Sequence, residues 1–228
     1  TRYGLYYAPA LDSELWRRGS AVLGYDAAAK QPVAKPEFLA AGRADLSKRA
    51  SGYGFHATLK QPIALREGLS EADLLTAAKR FSDNEAAFAL PALEVSDLFG
   101  HLALTPRQRD QALIDYAGRV VAYFEPFRPP LSAYDRERRL ANAKTPEALG
   151  NLDTWGYPFV FGQFPFHMTL TDKLDEQELS DLKPKMADYF EHVLAQPHLV
   201  SCLTVYKQPD TGAAFEVIEQ FAFSKPRR

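Results

Sequence analysis

Cysteine is nearly absent: the 228 residues contain one, Cys202, so no internal disulfide can form. A basic excess is missing too. The 27 Lys and Arg against 29 Asp and Glu leave a formal net charge of −2, and the isoelectric point lies near 6.2. That balance excludes a protein that coats long nucleic acid through a basic stripe, while leaving a small anionic ligand open. No apolar run approaches the roughly 20 residues that cross a bilayer, and the start shows no secretory-leader pattern. With the lone thiol, this gives the expectation of a cytosolic protein. What the chain does have is apolar surface: 46% hydrophobic and 12% aromatic residues, enough to bury one sizeable core or two small ones.

One short stretch occurs twice, as Phe55-His56-Ala57-Thr58-Leu59-Lys60 and as Phe166-His167-Met168-Thr169-Leu170-Thr171. Each copy alternates like a half-buried strand. Side chains two apart on a strand share a face, about 6 to 7 Å apart, so each copy presents an imidazole beside a hydroxyl. Phe55, Ala57 and Leu59, or Phe166, Met168 and Leu170, take the opposite face and anchor it to a core. If the two copies converge, a phosphate between them meets two imidazoles and two hydroxyls. One neutral His then takes a proton from the nucleophile while the other, protonated, gives one to the leaving oxygen. The hydroxyls bond to non-bridging oxygens. This chemistry calls for no metal or other cofactor, and two distant histidines fall short of a zinc ligand set.

Around these copies the pattern predicts strands over 2–8, 88–99 (broken at Pro91) and 101–105, and a final strand pair over 199–208 and 214–224. Helices are expected from Asp12 or Ser13 to Gly24, from Pro36 to Lys48, after the capping sequence Ser70-Glu71-Ala72-Asp73, from Pro106 through Tyr123, over 134–143, and over 176–195 with a kink or break at Pro184. The segment 126–158, with its Pro129-Pro130 pair, reads as a long middle connection. Each half then carries a motif strand, a helix and a strand pair, which implies one domain of two lobes over 1–228.

The longer signatures Tyr53-Gly54-Phe55-His56-Ala57-Thr58-Leu59-Lys60 and Phe164-Pro165-Phe166-His167-Met168-Thr169-Leu170-Thr171, with the opening Arg2-Tyr3-Gly4-Leu5-Tyr6-Tyr7-Ala8-Pro9, resemble the two-histidine (2H) phosphoesterase superfamily. Within it they resemble a bacterial branch associated with phosphonate metabolism. The resemblance implies an α+β fold of two pseudo-two-fold lobes, antiparallel sheets lining a central cleft and helices outside. It also implies that His56 and His167 are catalytic, that Thr58 and Thr169 bind phosphate, and that the substrate is a small phosphate diester of the 2′,3′-cyclic nucleotide or cyclic ribose phosphate type.

Other residues carry weaker signals. Lys60 shares a face with His56 and Thr58 if the strand stays regular and is then a substrate-binding cation, or else a solvated strand-end lysine. Tyr53, between two glycines, can stack on a base or sugar, or pack on the core as a lid. His101 reads as a structural histidine. The rival to an enzyme is a module that binds a phosphorylated nucleotide or an RNA end without turnover. No feature calls for an obligate protein partner.

Overall fold

In the computed structural model, which describes residues 1–40 and 45–224, the N-terminal strand β1 (Arg2–Tyr7) is followed by α1 (Glu14–Leu23). The Ser13 hydroxyl caps α1 by accepting from the Trp16 N–H, and left-handed Gly24 closes it. A small ladder of β2 (Tyr25–Asp26) and β3 (Gln31–Pro32) precedes two short helices, α2 (Glu37–Ala40) and α3 (Lys48–Ser51). The helix expected from Pro36 to Lys48 is therefore not continuous over the described residues, and 41–44 lie outside them. The first motif enters β4 (Ala57–Ile63), and α4 (Glu71–Ser82) starts from the expected capping box, with Asp73 reaching back to Ser70.

Next come β5 (Phe88–Leu90), β6 (Leu93–Leu98), β7 (His101–Pro106) and α5 (Gln111–Tyr123). Pro106 ends β7 instead of opening a helix; α5 starts where the Asp110 carboxylate accepts from the Leu113 N–H. The middle segment holds two helices, α6 (Ala133–Leu140) and α7 (Pro146–Trp155), the second capped by Thr145 and Gly156. The second motif supplies β8 (Met168–Thr169), followed by α8 (Glu176–Leu194), which runs through Pro184 undivided. The chain ends in β9 (His198–Val200), β10 (Cys202–Gln208) and β11 (Glu216–Ala222).

Seven strands form one antiparallel sheet in the order β11-β10-β1-β4-β8-β7-β6, and β5 pairs separately with β9. The expected α+β class with antiparallel strands and outer helices is present, but the two halves share a continuous sheet. They also exchange strands. The hairpin β6–β7, which follows the first motif in sequence, attaches to the second motif strand β8. The pair β10–β11, which follows the second motif, attaches through β1 to the first motif strand β4. Helices α4 and α8 pack on these exchanged pairs, α4 against β10 and β11 and α8 against β6 and β7.

The motif strands are anchored as their alternation requires. Phe55, Ala57, Leu59, Phe166, Met168 and Leu170 are all buried. Phe55 enters a notch in α1 at Gly19, where an added Cβ would lie 2.3 Å from the ring. Burying such a ring contributes about 2 to 3 kcal/mol, and here it also fixes the chain one residue before His56.

Candidate active site

The two motif strands are immediate neighbours: Ala57 pairs with Met168 at the centre of the sheet. With Ala57 and Met168 facing the core, the flanking His56, Thr58, His167 and Thr169 face the other way, and all four line one open cleft of about 660 Å³. That volume lies within the roughly 300–1,000 Å³ of small-molecule sites. Trp155, Tyr157 and Phe159 border a smaller hollow of about 80 Å³ that also touches Thr58 and His167.

Both imidazoles are oriented the same way. His56 Nδ1 donates to the Gly54 carbonyl at 2.9 Å, and His167 Nδ1 donates to the Pro165 carbonyl at 2.8 Å. A carbonyl oxygen only accepts, so in each neutral ring the hydrogen sits on Nδ1 and the lone pair on Nε2. In the first motif that lone pair accepts from the Thr58 hydroxyl at 3.1 Å. The turn that aims the Gly54 carbonyl needs glycine: φ is +71°, and a Cβ would come within 2.7 Å of Ala27. The Tyr6 ring stacks on His56, with centroids 3.9 Å apart and planes 21° apart.

These surroundings favour neutral rings. Burial pushes the His56 pKa down to about 4; the bond to the Gly54 carbonyl opposes this and the nearby His167 adds to it. Burial also lowers the His167 pKa, with the Pro165 carbonyl opposing and His101 reinforcing. His167 thus lies within electrostatic reach of His56, and His101 within reach of His167.

Of the two further residues singled out by sequence, Tyr53 borders the cleft. It is 45% exposed, and its ring stacks on Phe215 at 5.3 Å, so it serves both as cleft wall and as packing. Lys60 borders the smaller hollow beside Thr58 and not the main cleft. The pairing with β1 slips, so that Tyr6 opposes Thr58 while Leu5 opposes Lys60. Tyr6 and Leu5 point to opposite faces, and the bulge therefore turns Lys60 away from Thr58. Its ammonium, 4% exposed, donates to the Val121 carbonyl at 3.1 Å and pairs with Glu125 at 2.7 Å. Its ammonium is thus engaged by Val121 of α5 and by Glu125 just beyond that helix, while the residue borders the hollow shared with Thr58 and His167.

Sequence reasoning also passed over residues that line the cleft. His101 was expected to be structural; it does bond through Nδ1 to the Thr171 carbonyl at 3.2 Å, and it also borders the cleft beside His167. Arg49, Phe99 and Lys173 join it. The signal for His101 was its place at the start of the strand that pairs with the second motif; the others are placed by turns that sequence periodicity does not describe. Among the described residues, no three His, Cys, Asp or Glu side chains gather as a metal-binding group, and no helix is long and apolar enough to cross a membrane.

Fold and site together define an α+β protein whose repeated motif places two histidine–threonine pairs in one cleft. Its residues 58–216 match the family described as protein of unknown function (DUF1045), and the chain belongs to that family. It is 37% identical over 226 residues to the ribose 1,5-bisphosphate phosphokinase PhnN of Laribacter hongkongensis, covering 95% of this chain and 50% of that one. Identity to the protein of the same name from Janthinobacterium sp. is 33% over 231 residues, covering 98% and 51%. The chain thus spans about half the length of these relatives. Among solved structures it is similar to E. coli LigT complexed with 3′-AMP, at a TM-score of 0.41 and 12% identity over 98% of both chains. A crystal structure of a phosphoesterase matches at a TM-score of 0.42 and 12% identity over 98% of this chain and 99% of that one.

Proposed function

We propose that this chain is a metal-independent phosphodiesterase of the two-histidine type, which opens a small cyclic phosphate diester to a phosphomonoester. The observation that carries this reading is the meeting of His56, Thr58, His167 and Thr169 in one cleft from two remote stretches of sequence. Water attacks phosphorus while a neutral imidazole takes its proton. The ring P–O bond breaks, and the other imidazole, protonated, gives its proton to the departing oxygen. The two hydroxyls donate to the non-bridging oxygens as their charge grows. Both Nδ1 atoms are held by carbonyls, which leaves both Nε2 atoms for the reaction.

A cyclic ribose phosphate suits the site as substrate. Relatives in which this chain spans half the length are named for a kinase of ribose 1,5-bisphosphate. Opening the 1,2-cyclic phosphate of ribose 5-phosphate at O2 yields ribose 1,5-bisphosphate, so the diesterase would supply the kinase on a shared chain. This agrees with the phosphonate-metabolism association of the sequence motifs. A 2′,3′-cyclic nucleotide is the second candidate, favoured by the exposed rings of Tyr53 and Phe99 at the cleft.

The test is hydrolysis of both substrate types, followed by phosphorus NMR, in the wild type and in His56→Asn and His167→Asn. Each variant is expected to lose roughly 10²- to 10⁴-fold in turnover. Binding without product in the wild type would favour the non-catalytic module, and full activity in either variant would overturn the assignment.

A further inference from the structure

Two cations, Arg49 and Lys173, stand on one wall of the cleft. Arg49 comes from α3 and Lys173 from the loop between β8 and α8, and neither forms an ion pair among the described residues. They are held by one knot of bonds. The Asp172 carboxylate accepts from the backbone N–H groups of Arg49 at 2.8 Å and Ala50 at 2.9 Å. The Asp172 N–H donates to the Leu46 carbonyl at 2.7 Å, and the Leu174 N–H donates to the Gly100 carbonyl at 2.8 Å. The Lys173 stem lies along Gly100, where an added Cβ would come within 3.3 Å of Cγ and 3.4 Å of Cε.

Asp172 is the one carboxylate among the residues lining this cleft. Its oxygens accept from the Arg49 and Ala50 amides, and together with Arg49 and Lys173 it leaves this wall a net positive charge. Both cationic side chains are exposed at the cleft, and a phosphate dianion placed between them is attracted by each. The cleft is also far larger than one phosphate group.

We propose that Arg49 and Lys173 form a second anion subsite, which takes a phosphomonoester on the same molecule whose cyclic diester lies between the two histidine–threonine pairs. The substrate class is then a cyclic phosphodiester of a sugar carrying a second phosphate. The choice of substrate rests on the phosphodiesterase reading above; the subsite itself does not.

The experiment compares ribose 1,2-cyclic phosphate with and without a 5-phosphate, using the wild type and the Arg49→Gln/Lys173→Gln double variant. The wild type is expected to prefer the phosphorylated substrate by about 100-fold in kcat/KM, the scale of two charge-assisted hydrogen bonds to phosphate. The double variant should abolish this preference through a raised KM, while its kcat/KM for the plain substrate stays within about threefold of wild type. No preference in the wild type, or an undiminished one in the variant, overturns the subsite. If neither compound is hydrolysed, the phosphodiesterase reading is the one that fails. The subsite is then judged by calorimetric titration with ribose 5-phosphate. Binding by the wild type that the double variant loses upholds it; equal binding, or none to either, overturns it.

Discussion

His56 should make the protein sensitive to mild acid, by an amount that follows from its surroundings. Its pKa is lowered from an ordinary 6.5 to about 4, chiefly by burial. The folded state therefore resists protonation that the unfolded chain accepts, and stability rises with pH wherever the unfolded state holds more protons. This contribution is fully present above pH 6.5, falls as the pH drops and levels off below about 4. At pH 5 the unfolded side chain is largely charged and the folded one largely neutral, so the expected loss relative to pH 7.5 is about 2 kcal/mol. The assay is urea unfolding of the wild type and His56→Asn at both pH values; Asn retains a donor for the Gly54 carbonyl. The wild type should lose about 2 kcal/mol more than the variant between pH 7.5 and pH 5. A difference below about 0.5 kcal/mol would refute the claim that the folded site excludes the charged ring.

The same lowered values shift the activity profile. With His56 as base and His167 as acid, kcat/KM should hold down to near pH 4 on the acid side and decline from below pH 6.5 on the alkaline side, in the presence of chelator; an alkaline limb beginning above pH 8, or loss of activity on chelation, would contradict it. Thr58→Val and Thr169→Val should each cost on the order of 3 kcal/mol in transition-state stabilisation, read as about 100-fold in kcat. Gly54→Ala should destabilise the fold by about 2 kcal/mol, from the left-handed backbone and the close Ala27 contact, as measured by the urea midpoint. Lys60→Met should leave kcat/KM within about twofold, because its ammonium is engaged by Glu125; a large loss of turnover would return Lys60 to the site.

Much of this was legible from residue patterns. The period-2 alternation placed His56 with Thr58, and His167 with Thr169, on one face of each motif strand, and the capping sequence at Ser70 marked the start of α4. What escaped has physical reasons. The bulge that turns Lys60 away depends on pairing with β1, which sequence spacing cannot express. Pro184 suggested a broken α8, yet the helix runs through it with Leu182 and Met186 buried on either side, so packing outweighs local propensity. Helix α7 was lost within a proline- and glycine-punctuated stretch, although Thr145 followed by Pro146 is a recognisable start. Arg49 and Lys173 come to one cleft through the bonds of Asp172 to the backbone of Arg49 and Ala50, a junction between segments 123 residues apart in sequence.

The exchange of strand pairs bears directly on how the site is built. Had each half folded on its own motif, the spacing of the histidine–threonine pairs would depend on how two lobes dock, and a loose interface would blur it. Instead β4 and β8 are adjacent strands of one sheet, with Ala57 opposite Met168. Adjacent strands stand about 4.8 Å apart, a separation fixed by backbone hydrogen bonding. The hairpin and strand pair donated across the centre then extend the sheet on both sides of the motif strands, so neither is left as an edge. Each imidazole is further set by a carbonyl two residues before it in the chain, at Gly54 and Pro165. The relative position of the two rings is thereby determined by local backbone on each strand and by one ladder between them, which is the preorganisation that the proposed proton transfer at a single phosphorus requires.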